Sequence, residues 1–173
     1  MIFGDPYKFA IQFDFVDEWL IPDEGIFNLI INGYHQPNAL PNQSVTILDC
    51  FDSLNARYFH LNQKKTFSNL FNLDCNKLYL HMENILERII SNESNETEED
   101  FFESSQLSIS ETIINRKYSW LFYSENKEKI IFLDFNNNPS EIILNKGYCC
   151  TTINQALSWA KNYYINENRF SNI

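Results

Sequence analysis

Phe9, Ile11, Phe13 and Phe15 alternate with Ala10, Gln12 and Asp14. That period of two predicts a half-buried strand over about 8–16, with its aromatic side facing a core. A second apolar run, Ile26 to Ile31, ends at Asn32-Gly33. Asn-Gly supplies the positive φ values that a type I′ turn requires, so this run reverses on itself as a hairpin. Pro37 and Pro41 limit the return strand from Tyr34 to a short edge piece. A chain that opens this way must build a sheet and cover its apolar face.

The covering elements are legible further on. Val45, Thr46 and Ile47 make Ser44 to Phe51 a further strand. From 52 to 73 the pattern is open: Asp52-Ser53 can cap a short helix, and Phe67 to Leu73 reads as an apolar loop or turn. Asp74 is a helix N-cap, after which Leu78, Met82, Ile85 and Ile89 fall at helical spacing. Residues 91–105 are polar and acidic, and read as a solvated loop with a helical turn around Glu98 to Ser104. Alternation resumes at Leu107, Ile109, Glu111 and Ile113. Tyr118 to Ser124 and Lys129 to Phe135 make a hairpin candidate, and Glu141 to Leu144 a short strand. After the turn at Asn145-Lys146-Gly147, Thr151 or Thr152 can cap a last helix with Ile153, Ala156, Leu157, Ala160 and Tyr164 on its apolar stripe. The expected fold is α+β: a mainly antiparallel sheet, with a central helix at about 75–91 and a C-terminal helix at about 151–166. The strands on both sides of 91–105 are expected to share one sheet, in a single domain over 1–173.

Charge narrows the partners. The 173 residues carry 13 Lys+Arg against 23 Asp+Glu, a net charge of -10. Nucleic acid and anionic membranes both reward positive charge, so neither is expected as a direct partner. The acids are concentrated. Asp5, Asp14, Asp17, Glu18, Asp23 and Glu24 fall in residues 1–24 beside one base, Lys8. Glu93, Glu96, Glu98, Glu99, Asp100, Glu103 and Glu111 fall in residues 89–115 with no base. Phe101-Phe102 lies inside the second group, and aromatics amid acids resemble the anchors and rim of an interface. The candidate binding residues are therefore Asp14, Asp17, Glu18, Asp23 and Glu24, and Glu93, Glu96, Glu98, Glu99, Asp100, Phe101, Phe102 and Glu103.

Catalytic patterns are scarce. The sequence has no phosphate loop, dinucleotide fingerprint or Gly-x-Ser-x-Gly elbow, and only four glycines. His35, His60 and His81 lack metal-ligand spacing, and no Cys-x-x-Cys pair exists among Cys50, Cys75, Cys149 and Cys150. An alternative remains a small α+β enzyme or metal protein using His60, His81, Cys50 or Cys75. Gly4-Asp5-Pro6 reads as a turn feeding the first strand. No apolar run approaches the ~18 residues of a membrane span, and Asp5, Pro6 and Lys8 are unlike a signal peptide. The expectation is a reduced, cytoplasmic protein with no cofactor, no metal and no catalytic residue.

The opening residues, Met-Ile-Phe-Gly-Asp-Pro-Tyr-Lys-Phe-Ala-Ile-Gln, resemble the start of the bacterial immunity protein 42 family. Trp19, the run Ile26 to Gly33, the segment Glu141 to Tyr148 and a final helix with Trp159 extend the resemblance towards the other end. It implies a protein that neutralises the C-terminal toxic domain of a cognate polymorphic or contact-dependent inhibition toxin. Such a protein acts in the cytoplasm, by binding one-to-one, and needs no catalysis. Many such toxins are nucleases with basic surfaces, which an acidic inhibitor would match.

Overall fold

The computed structural model describes residues 1–15, 24–36, 45–63, 67–113 and 117–166. The first half forms a five-stranded antiparallel sheet from β1 (Ile2–Asp5), β2 (Phe9–Phe15), β3 (Glu24–Ile31), β4 (Tyr34–Gln36) and β5 (Val45–Thr46). The order is β1-β2-β3-β4, with β5 paired to the start of β3. Asn32 and Gly33 sit at φ +51° and +81°, the left-handed conformations that a type I′ turn needs. Gly4-Asp5-Pro6 does more than feed a strand, because Gly4 and Asp5 lie inside β1, which pairs with β2. At Gly4, φ is +91° and a Cβ would collide with the Phe9 carbonyl oxygen, so only glycine fits.

The strand expected over Ser44 to Phe51 is cut short. Only Val45–Thr46 is extended, and α1 runs Ile47–Asn62. Ile47, Cys50, Leu54 and Leu61 are all buried on one helical stripe, which outweighs the local β preference of the branched residues. Asp52-Ser53 therefore lies within a helix and caps none. One turn of helix, α2 (Ser68–Phe71), interrupts the apolar loop. The predicted central helix is α3 (Cys75–Ile90), and the Asp74 side chain caps it by accepting from the amides of Asn76 and Lys77.

The solvated loop expected at 91–105 is instead α4 (Glu96–Ser105). The strand expected at 107–113 is also absent. Gln106 makes a single bridge to Trp120, and Ser110–Thr112 is a 3₁₀ turn. Side chains satisfy this backbone locally: Thr112 Oγ1 accepts from Ile109 N, and Ser108 Oγ from Ser119 N.

The remaining strands, β6 (Trp120–Tyr123), β7 (Lys127–Leu133) and β8 (Pro139–Asn145), form a second antiparallel sheet of their own. The single shared sheet expected from the sequence is thus two. The last helix, α5 (Tyr148–Asn166), starts three residues before the expected 151. Its cap comes from another element. Glu128 of β7, fully buried, accepts from the amides of Gly147 (2.8 Å) and Cys149 (2.7 Å), so neither Thr151 nor Thr152 is needed.

The second sheet separates two cores. Leu121, Tyr123, Ile130 and Phe132 pack with the first sheet, α1 and α5. Trp120, Phe122 and Ile131 face the other way, into a layer made by α3 and Phe102 of α4. Alternation along the strands gives each sheet face its own partner, and α4 lies on the outer layer.

Candidate functional site

The outer layer displays the second acidic group. Asn95 starts α4 with a reciprocal cap: its Oδ1 accepts from Glu98 N at 3.0 Å, and Glu98 Oε2 accepts from Asn95 N at 3.3 Å. Arg88 of α3 pairs with Glu98 Oε1 at 2.6 Å and donates to the Glu93 carbonyl at 3.1 Å. Acids in the first turn, Glu96, Glu98 and Glu99, also complement the positive end of the helix. Underneath, Phe102 is 6% exposed and packs edge-on against Tyr118 and Trp120. Phe101, half-buried, packs against Phe67 and Phe122.

The expected residues therefore sort by role. Glu93, Glu96, Glu99, Asp100 and Glu103 are exposed. Glu98 is half-buried and committed to the cap and to Arg88. Phe101, half-buried, and Phe102, buried, hold the helix to the core. The first acidic group is placed differently. Asp14, on β2, pairs with the amino terminus and accepts from Gln12. Glu24 is half-buried at the start of β3. Asp17, Glu18 and Asp23 lie outside the described residues.

Beside the acidic helix runs a groove of about 530 Å³ between α1, α3 and α4. Ala56, Leu86, Ile89 and Ile90 give it an apolar lining, and Glu99 and Glu103 stand at its α4 side. Arg57 of α1 donates to the Glu103 carbonyl at 2.8 Å. Burial lowers the Arg57 pKa, and the Glu103 carboxylate acts against that shift. The sequence reading held only a helical turn at Glu98 to Ser104 of this helix and missed the groove, although Asn95-x-x-Glu98 is a legible start signal.

The histidine and cysteine alternative gains no geometry. His35 lies on β4, His60 on α1, His81 on α3, and Cys50 in the core. Cys75 opens α3, and burial pushes its thiol up to about 11. Among the described residues, no group of three or more His, Cys, Asp and Glu side chains could hold a metal ion. No described helix is long and apolar enough to cross a membrane.

The family model for immunity protein 42 matches residues 1–159. The chain belongs to the immunity protein 42 family. The match takes in the opening β1–β2 hairpin and ends at Trp159 on α5, the two ends that carry the resemblance in the sequence. As an immunity protein, the chain has a toxin-neutralising role. A solved structure described as CdiI from Burkholderia dolosa AUO158 has the same fold, with a TM-score of 0.69 at 18% identity. The similarity covers 91% of this chain and 99% of that one. No curated protein matches the sequence.

Proposed function

We propose that this immunity protein binds the toxic domain of its cognate toxin one-to-one in the cytoplasm, through a surface that includes the outer face of α4. The observation that carries this reading is the way α4 is held. Five exposed acids, Glu93, Glu96, Glu99, Asp100 and Glu103, stand on or next to a helix fixed by its cap, by Arg88 and by Phe102. A preorganised acidic face loses little entropy on binding and attracts a basic partner from a distance. The partner is a nuclease whose basic nucleic-acid-facing surface this face matches. Inhibition is by occupancy and involves no catalysis, cofactor, direct nucleic-acid contact or membrane. The likeness in fold to a protein described as CdiI supports a contact-dependent inhibition system as its setting.

The test takes as its probe the C-terminal domain encoded by the reading frame immediately upstream of this chain, as the expected toxin domain. Calorimetry is expected to give one tight site per toxin domain, and co-expression to restore growth. A toxin domain that neither binds nor is neutralised would overturn the reading.

A further inference from the structure

The groove beside α4 joins an apolar floor to an acidic rim, which is the anatomy of an interface core and its edge. Its floor stays accessible: Ile90, at the end of α3, is 49% exposed, and Ala56 on α1 is exposed. Glu99 and Glu103 are one helical turn apart along the rim. Arg57, the cation among the described lining residues, donates to the Glu103 main-chain carbonyl. Together with Glu96 and Asp100 on the same helix, these acids outnumber the cations among the described residues of the rim.

We infer that this groove seats an apolar side chain of the toxin, and that a lysine or arginine next to that side chain pairs with Glu99 and Glu103. The inference rests on the toxin-binding reading above and names the chemistry the toxin must present. Charge selects this occupant over others. A second copy of this chain would bring acids against acids, and like charges facing each other disfavour that contact. A nucleic acid would meet the same repulsion. A basic protein segment with an apolar anchor satisfies both parts of the groove, and about 530 Å³ accommodates a large side chain. The apolar contact would supply the slow dissociation and the acids the fast association.

Two variants test this with the upstream toxin domain as probe. Ala56→Trp fills the groove from an exposed helical position, and Ile90→Glu puts a charge into its floor. Both are expected to keep the wild-type melting temperature and far-UV circular dichroism. Each is expected to weaken toxin binding about thirtyfold or more, chiefly by faster dissociation. Tyr7→Ser, in the β1–β2 turn, is the control and should bind as wild type. Wild-type binding by both groove variants would overturn the inference and leave the toxin-binding reading standing. A groove variant that changes only the protein's own oligomeric state would overturn it in favour of a second copy. Failure of the wild-type chain to bind would overturn both.

Discussion

In residues 93–103 the carboxylates ride on a helix with its own cap, an ion pair to α3 and a phenylalanine in the core. In residues 14–24 the described carboxylates are Asp14 and Glu24, and both belong to strands of the first sheet. Asp14 is already paired with the amino terminus and with Gln12. The two segments look alike as strings of acids. Among the described residues, what separates them is the support beneath: α4 carries exposed carboxylates on a fixed scaffold, next to an apolar groove, whereas Asp14 pairs within the first sheet. Charge density in a sequence thus marks candidates, and the element that carries the charge sets how each is held.

The largest effect that can break this comparison is loss of the α4 anchor. Phe102→Ala is expected to lower stability by about 3–5 kcal/mol, read from urea unfolding, because it empties a site against Tyr118 and Trp120. Asp14→Ala should cost under about 1 kcal/mol, as an exposed pair does. Equal losses would put the two segments on the same footing. Next in size is the cap. Asn95→Ala should cost about 1 kcal/mol and increase amide exchange in the first turn of α4. Protection unchanged from wild type would mean that the cap does not hold the helix.

Smaller still is the reactivity of Cys75, which reports whether the start of α3 opens away from Lys129 and Glu141 of the second sheet. Burial pushes its thiol up to about 11, so the reactive thiolate is scarce near neutral pH and grows as pH rises. Alkylation at pH 8 should be slower than for a free cysteine, and should quicken with pH. Cys149, fully buried with its pKa raised further by burial, should label only on unfolding. Labelling of Cys75 at the free-thiol rate would show that the start of α3 is loosely packed on the second sheet, and so that α4 rests on a less fixed support.

Much of the fold was legible where one pattern dominated. The alternation from Phe9 to Phe15, the Asn32-Gly33 turn and the stripe behind Asp74 each name an element that the structure contains. The failures share a physical cause, which is competition between local preference and distant contacts. Val45, Thr46 and Ile47 favour a strand, but Ile47 turns inward as the first core residue of α1. The start of α5 depends on Glu128, twenty-one residues before Cys149, and no local rule points to it. The number of sheets depends on which strand faces which core, so alternation alone could not separate them. At the candidate site, the acids were visible by composition. Only a turn of their helix was legible, because α4 places only Phe102, Ser104 and Ser105 in the core, too little apolar pattern to show its full length. The inward packing of Phe101 on Phe67 and of Phe102 on Trp120 depends on residues distant in the chain, so the sequence did not show it.

We propose that the toxin meets the α4 face in preference to the acids of residues 14–24. Association rates over a range of salt concentrations test it most directly. Two multiple variants are compared with wild type: Glu99, Asp100 and Glu103 reversed to lysine, and Asp17, Glu18, Asp23 and Glu24 reversed to lysine. The first is expected to slow association at least about tenfold at low salt and to flatten its salt dependence, while the second associates at close to the wild-type rate. Slowing confined to the second variant would contradict the claim and move the interface to the other acidic segment.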